Sequence, residues 1–289
     1  ILLGALRDYV QWTGDLGLVR ERWPRIAALA EFPLRPVFRH TGSGLLANRR
    51  EYWERHRAHG IRPGIELAHQ LYAWHGLEAA SRLAAMAGDN GHARRWESEA
   101  GRLRTAMLED PVFRMADNRG FIKRRGLDGL VQETIDPEPD SGLPAGSPLA
   151  KPGRHDLNPD TSAALPIALG LVPPESPLCR LTLQSLETLW NQTWTAGGYG
   201  RYHVSSEPDS PGGWPFASIF VARAAVEAGE ESIVRRVLDW LASVPGAGAG
   251  SWFEFYGTRQ SPPFPQVGII PWTWAEMIVL AVHHILGVR

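Results

Sequence analysis

The chain has 289 residues, of which 44% are hydrophobic and 21% are charged, and this suits one large domain or two small ones with a sizeable core. Its net charge of −1, without blocks of like charge, argues against nucleic acid or an anionic membrane as the main partner. The single cysteine, Cys179, excludes an internal disulfide framework and favours a reducing compartment, so the cytoplasm is the expected location.

Helical periodicity dominates the sequence and strand alternation is nearly absent, which predicts an all-α protein. The predicted helices span residues 1–12, 18–32, 64–87, 92–108, 161–171, 178–190, 216–228, 231–244 and 273–286. Gly76 is expected to break the third helix, and Asp160 to cap the fifth. The sequence starts inside a helix at Ile1, so we expect helices to precede it in a longer protein. No apolar run is long enough to span a membrane.

A weak internal repeat links three of the predicted helix ends. In residues 13–23, 87–96 and 228–240, a glycine ends one helix, an acidic residue follows, and an arginine stands six residues after the glycine. Glycine closes a helix well, and an acidic side chain favours the positive N-terminal end of the next one. The pattern therefore predicts antiparallel helical hairpins that stack in an array.

Four long loops rich in glycine and proline separate the hairpins, at residues 33–63, 126–159, 193–214 and 245–271. Long loops in a compact domain are usually functional or disordered. The 126–159 loop has few apolar residues, and it is predicted to be a flexible lid or a linker between domains. The other three loops carry aromatic residues, and we expect them to be ordered.

The first candidate catalytic residue lies in the loop before the long helix at 64–87. Glu54 follows Trp53 there, among several arginines. Glu51 lies three residues earlier, could share the same face, and is the alternative acid. Desolvation beside aromatic rings disfavours the charged form of a carboxyl group, which suits a proton donor.

The second candidate, Glu254, stands among Trp252, Phe253, Phe255 and Tyr256. Aromatic faces suit the apolar faces of sugar rings. Two carboxyl groups from distant loops are what glycoside hydrolysis needs, because one protonates the leaving oxygen while the other activates water or attacks carbon. A loop glutamate beside core aromatics is the plainer interpretation of either motif alone.

Further loop residues are candidates for sugar contacts. Arg201 and Tyr202 follow a run of glycines, although Arg201 could equally hold a structural carboxylate. Asp209 could bind sugar hydroxyls or cap the helix that starts near Trp214. Glu276 lies within the last helix, and we interpret it as structural.

No motif for a metal or a cofactor is found. There is no phosphate loop, dinucleotide fingerprint, nucleophile elbow or zinc spacing. The acidic residues at 156–160 lack the later glycine and glutamate of a calcium loop. His283 and His284 point to different helix faces, and Cys179 has no local partner for thiol chemistry. We therefore expect neither metal nor cofactor.

Together these motifs resemble those of the glucoamylase-like glycoside hydrolases. Residues 52–55, Tyr-Trp-Glu-Arg, are similar to the Trp-Glu general-acid motif of that family. Residues 197–202 and 212–215 resemble a sugar-binding loop and the start of the next barrel helix. Glu254 and residues 271–276 resemble the general-base loop and the last helix. The resemblance covers most of the chain and is closest from Gly197 onward.

The resemblance implies an (α/α)6 barrel of six helical hairpins that forms one catalytic domain over 1–289 and lacks its first helices. It also implies hydrolysis of an α-linked glucoside with inversion, with Glu54 as general acid and Glu254 as general base. Phe255 stands where many glucoamylases have a glutamine, so the substrate contacts are expected to differ. The residues expected to bind the oligosaccharide or glycoside substrate are Trp53, Arg201, Tyr202, Asp209, Trp214, Trp252 and Tyr256.

Two other classes of function stay open at the level of the sequence. Related helical barrels carry rhamnosidases, trehalases, phosphorylases, epimerases and lyases, because a fold does not fix its reaction. The non-enzymatic alternative is a helical solenoid that binds a carbohydrate or a protein through its tryptophans.

Overall fold

The computed structural model describes residues 1–144, 146–192, 196–208, 211–257 and 270–288. Within these ranges the chain is mostly helical, as the periodicity predicts. The α-helices are α1 (Leu2–Thr13), α2 (Gly17–Glu31), α3 (Leu67–Ala87), α4 (Asn90–Glu109), α5 (Leu165–Ala168), α6 (Pro177–Leu186), α7 (Pro215–Ala228), α8 (Glu231–Ser243) and α9 (Pro271–Val279). None of these helices is long and apolar enough to cross a membrane.

The strands among the described residues are only two or three residues long, and all of their pairings are antiparallel. They are β1 (Ala47–Asn48), β2 (Gly64–Glu66), β3 (Ala116–Asp117), β4 (Gly120–Phe121), β5 (Arg124–Gly126), β6 (Thr134–Ile135), β7 (His155–Asp156), β8 (Gly212–Gly213) and β9 (Tyr256–Gly257). β1, β2 and β5 form one sheet in that order, and the other strands form two-stranded ribbons.

The expected break at Gly76 is wrong, because α3 runs through it without interruption. A glycine costs about 1 kcal/mol in a helix interior relative to alanine. Gly76 is buried, and a Cβ atom built on it would lie 3.6 Å from Leu3 Cδ1 of α1. The packing of α1 on α3 therefore outweighs the low helix propensity of this glycine.

The predicted glycine ends of the helices are confirmed. Gly14, Gly88 and Gly229 adopt the left-handed conformation at the ends of α1, α3 and α7. Asp89 then caps α4, because its carboxylate accepts a hydrogen bond from the His92 amide at 3.1 Å. α3 packs along α4, and α7 packs along α8, as helical hairpins do.

The fifth and last predicted helices differ from the expectation in detail. Residues 161–171 form a 3-10 turn, Thr161–Ala164, followed by the short α5. Asp160 caps that turn as predicted, by accepting a hydrogen bond from the Ser162 amide at 2.9 Å. The last helix ends as α9 at Val279 and continues as a π-helix over Leu280–Ile285.

The chain divides into two compact units. The first comprises Ile1–Asn48, Pro63–Met115 and Arg124–Leu130. It holds α1 to α4 and the three-stranded sheet, with α3 contributing the largest share of buried apolar side chains. Arg124 of β5 and Glu66 of β2 form an ion pair of 2.8 Å whose side chains are both 0% exposed.

The second unit comprises Arg49–Arg62, Ala116–Lys123 and Val131–Arg289. Its central element is α7, in which every residue from 217 to 225 is buried. A helix that is apolar nearly all round is typical of one surrounded by protein. All described candidate site residues belong to this unit.

The stretch from 131 to 159, expected as part of a lid or linker, contributes side chains to the core of the second unit. Ile135, Leu149 and Leu157 form a buried cluster with Ile61. The Ser147 hydroxyl donates a hydrogen bond to the Glu207 carbonyl at 3.0 Å. Closure of this stretch over a substrate stays a prediction.

Candidate active site

The Glu54 side chain is presented by a tight turn. The Glu54 amide donates to the Glu51 carbonyl at 3.1 Å, and the Glu51 amide donates to the Arg55 carbonyl at 3.0 Å. Glu54 has a φ of 75°, and among the described residues it is the one non-glycine with a positive φ. Such strain persists only where the surroundings enforce it, and it clusters at functional sites.

The Glu54 side chain is exposed, so the apolar surroundings expected around the candidate acid are not found. Trp53, which precedes it, is half-buried, and its indole stacks on Phe220 with a ring separation of 6.1 Å. The turn thus directs the Trp53 ring toward the protein and the carboxyl group of the next residue, Glu54, toward solvent.

Glu51, the alternative acid, is a buried anchor of this turn. One carboxylate oxygen accepts hydrogen bonds from the Arg55 amide at 2.9 Å and from its Nε at 3.2 Å, and the other lies 2.6 Å from Lys123 Nζ. Burial alone would raise the pKa of the Glu51 carboxyl, but the Lys123 and Arg55 charges outweigh it and hold the pKa at about 2. Glu51 is therefore ionised at neutral pH and cannot serve as a proton donor there.

Lys123 extends this group to Asp160. Its Nζ lies 2.6 Å from Asp160 Oδ2, and both side chains are 0% exposed. Asp160 Oδ1 accepts a hydrogen bond from Trp53 Nε1 at 2.9 Å. The sequence predicts Asp160 as a helix cap and not as part of a calcium loop, and it does not single out Lys123. One feature of the sequence could have drawn attention to Lys123, because it is one of only two lysines among the 30 lysines and arginines of the chain.

Tyr202 lies behind the Trp53 turn. It is 3% exposed, its hydroxyl donates to the Trp53 carbonyl at 3.3 Å, and the Arg55 guanidinium lies 3.7 Å from its ring centre. This burial leaves little of the Tyr202 surface for a sugar, so the side chain supports the turn from within.

The Glu254 loop is held by the β8–β9 ribbon. Tyr256 of β9 pairs with Gly213 of β8. A Cβ atom at Gly212 would lie 2.2 Å from the Tyr256 carbonyl oxygen, so only glycine allows the strands to approach this closely. The buried Tyr256 hydroxyl donates to the Pro245 carbonyl at 2.6 Å. These contacts fix the backbone just after Glu254, whose side chain is half-buried.

Trp252, on the other side of Glu254, is tied to α8. Its Nε1 donates a hydrogen bond to the Leu241 carbonyl at 2.9 Å, and its side chain is half-buried. The polar edge of this indole therefore faces the protein, and its ring stays partly accessible.

The two candidate loops meet at one aromatic cluster. Trp214, Ala217 and Phe255 are buried together, and the half-buried Trp53 packs against them. The Trp214 and Phe255 rings are stacked with centres 4.8 Å apart and planes at 13°. Since Trp53 adjoins Glu54 and Phe255 adjoins Glu254, the backbones that carry the two carboxyl groups are anchored in the same cluster.

Arg201 covers one of these rings. Its guanidinium lies 3.5 Å from the Trp214 ring centre, and its Nη2 donates to Glu207 at 3.3 Å. The side chain is 13% exposed. Both earlier interpretations of Arg201 are therefore compatible with its position, since it holds a carboxylate and still reaches the surface. Asp209 lies outside the described residues.

Glu276 accepts a hydrogen bond from Arg223 at 2.5 Å, which agrees with its interpretation as structural. His284 Nδ1 lies 2.6 Å from Glu227. Among the residues that the structure describes, no group of three or more His, Cys, Asp or Glu side chains could hold a metal ion.

Solved structures with a similar fold include glycosidases. A structure described as "Glycosidase Wild Type" matches 96% of this chain and 64% of its own, at 17% identity and a TM-score of 0.64. The GH78 family rhamnosidase of Bacillus sp. GL1 matches 96% of this chain and 25% of its own, at 16% identity and a TM-score of 0.56. A bacterial glucoamylase complexed with acarbose matches 78% of this chain and 34% of its own, at 18% identity and a TM-score of 0.56.

These similarities show the fold of the chain and, at such identities, the fold alone. The chain spans 64% of the length of the first of these structures. No protein-family model matches the sequence, and no curated protein matches it.

Proposed function

We propose that this chain is the (α/α)6-type catalytic domain of a glycoside hydrolase that cleaves an α-glucosidic bond with inversion. Glu54 is the general acid and Glu254 the general base. The fold shared with a glucoamylase and a rhamnosidase supports the reaction class, and the Trp53–Glu54 motif supports the assignment of the acid.

The observation that carries the proposal is the aromatic cluster of Trp53, Trp214 and Phe255, which anchors both candidate loops. Inverting glycosidases hold their two carboxyl groups roughly 6.5–9.5 Å apart, with room for a water molecule between base and sugar. A shared anchor one residue from each carboxyl group supports assigning both carboxyl groups to one site.

The reaction follows from these roles. Glu54 gives its proton to the glycosidic oxygen as the bond from that oxygen to the anomeric carbon breaks. Glu254 removes a proton from a water molecule, which attacks the anomeric carbon from the opposite face. The Glu54 side chain is exposed, and a bound sugar would cover it and withdraw its carboxyl from water.

The proposed substrate-binding side chains divide into two sets by burial. Trp53, Arg201 and Trp252 are partly accessible and are proposed to contact the sugar. Trp214 and Tyr256 are buried and are proposed to shape the site from behind. Asp209 is retained as a proposed ligand of sugar hydroxyls on its sequence position alone.

An α-rhamnosidase is the second candidate. The rhamnosidase structure covers 96% of this chain, whereas the glucoamylase covers 78%. The same two carboxyl groups would serve either sugar, so the choice of substrate separates the candidates.

The test is hydrolysis of maltose, other α-linked glucose disaccharides and an α-rhamnoside by the wild type, Glu54→Gln and Glu254→Gln. Loss of a general acid or base lowers kcat by about 10²–10⁴-fold. We expect both variants to lose activity by this factor while Glu97→Gln, on the exposed face of α4, keeps it. Turnover of the rhamnoside alone would select the second candidate, and full activity of either site variant would reject that residue.

A further inference from the structure

Four charged side chains are buried together beneath the Glu54 turn. They are Glu51, Arg55, Lys123 and Asp160, and their side chains are at most 2% exposed. Two positive and two negative charges sum to zero, which is the arrangement that buried ions require. The four come from three separate segments of the chain, so the group ties those segments to the turn.

Lys123 is the centre of this charge group. Its Nζ lies 2.6 Å from Glu51 Oε2 and 2.6 Å from Asp160 Oδ2, so it joins the Glu54 turn to the segment before α5. The only other lysine, Lys151, is exposed. An ammonium group is compact, whereas a guanidinium is a wide planar fork. A compact ammonium can lie 2.6 Å from an oxygen of each of the two carboxylates. Lysine therefore suits this position, although almost all other basic residues of the chain are arginines.

The charge group contacts the turn on both sides of Glu54. Asp160 accepts a hydrogen bond from the indole of Trp53, the residue before Glu54. Glu51 binds the amide and side chain of Arg55, the residue after it. Glu54 itself has a φ of 75°, a conformation that a non-glycine residue keeps only when its neighbours are fixed.

We infer that Lys123 is a positioning residue for the reaction. By holding Glu51 and Asp160 together, it keeps the Glu54 backbone left-handed and aims the carboxyl at the departing oxygen. The inference rests on the proposed function of Glu54 as general acid. Catalytic groups must be held within a fraction of an ångström of the productive position, so loss of this support lowers proton transfer more than it lowers binding.

The experiment compares two substrates that differ in their need for the acid. Maltose has a poor leaving group that must be protonated, whereas α-D-glucosyl fluoride loses a good leaving group with little help. For Lys123→Met we expect kcat on maltose to fall about 100-fold, with KM changed less than about threefold. On the fluoride, kcat should fall less than about fivefold, because the base and the sugar contacts remain.

Two further variants make the result decisive. Lys151→Met is the matched control and should behave as the wild type on both substrates. Asp160→Asn preserves the size of the side chain and an oxygen acceptor for Trp53, so it carries the same test if Lys123→Met does not fold. It should show the same selective loss on maltose, by about tenfold.

The outcomes separate the positioning role from the proposed function. Equal losses on the two substrates, or wild-type kcat on maltose in a folded Lys123→Met or Asp160→Asn, would overturn the positioning role alone. Wild-type enzyme that hydrolyses neither of these substrates nor an α-rhamnoside would overturn the proposed function, and the positioning role with it.

Discussion

Glu51 and Glu54 lie three residues apart, but their surroundings differ and so do their proposed roles. Glu51 is enclosed by Lys123 and Arg55 and is ionised, whereas Glu54 projects from a strained turn into solvent. Pairs of carboxyl groups in contrasting environments are typical of acid–base sites. Here the contrast separates a structural charge from the proposed catalytic one.

The buried Glu51 charge predicts a specific loss of stability in acid. Its pKa is about 2 in the folded protein against an ordinary value of 4.5, so the unfolded chain binds this proton more readily. The contribution, of the order of 3 kcal/mol, is fully present above the ordinary pKa and disappears as pH falls toward the folded value.

Urea unfolding at pH 5 and at pH 3 measures this effect. The wild type should lose more stability between these two values than Glu51→Gln, which has no carboxyl to titrate there. Glu97→Gln, an exposed control on α4, should show the wild-type pH dependence. An unchanged pH dependence in Glu51→Gln would show that this carboxyl is not held ionised by its neighbours.

At the residue scale, the sequence alone predicts Trp53 and Glu54 as candidate site residues but not the buried charges that contact their turn. Lys123 sits in the run Phe-Ile-Lys-Arg-Arg, which indicates a solvated basic stretch. Its burial depends on carboxylates from segments before and after it, and no local pattern reports such contacts. Tyr202 and Tyr256 were expected to contact sugar, and their burial could not be inferred from their loops.

At the scale of elements, the long helices follow from local sequence and the short strands do not. α3, α4, α7 and α8 have helical periodicity, and glycines end α3 and α7, so the sequence predicts these helices within a few residues. β8 is two glycines, and its partner β9 lies more than forty residues away in the sequence. The pairing of β8 with β9 depends on the close approach of the two backbones and not on the strand propensity of the residues.

Two glycines in the second unit give a matched test of the β8–β9 ribbon. A Cβ atom at Gly213 would lie 2.3 Å from the Gly197 carbonyl oxygen and 2.7 Å from the Trp240 ring. Gly229 ends α7 with a φ of 74° and has nothing within 4 Å of such an atom. The added methyl group of Gly213→Ala should therefore displace the ribbon. In Gly229→Ala the methyl group has space, and the cost is only that of holding alanine in the left-handed conformation.

We expect Gly229→Ala to lower stability by roughly 1–2 kcal/mol and to leave kcat unchanged, because its strain stays at a helix end. Gly213→Ala should lower kcat at least tenfold in the folded fraction, since β8 pairs with the strand that follows Glu254. Thermal unfolding and kcat on the same samples check both. Wild-type kcat in Gly213→Ala would show that the ribbon does not position the base.

At the scale of the whole molecule, the mostly helical composition was predictable and is confirmed, because periodicity is summed over many turns. The resemblance to glucoamylase-like enzymes depended on a few motifs, and the similar solved structures share only 16% to 18% identity with the chain. At such identities the comparisons show the fold alone, so the chemistry has to be established on this chain.

The anomer released first from p-nitrophenyl α-D-glucoside tests the central claim most directly. In an inverting reaction, water activated by Glu254 attacks opposite the departing oxygen, so the first glucose formed is the β anomer. Proton NMR in the first minutes, before mutarotation, distinguishes the two anomers. We predict β-glucose from the wild type and none from Glu254→Gln. Initial release of α-glucose, or an undiminished rate in Glu254→Gln, would contradict the assignment of Glu54 and Glu254 as an inverting pair.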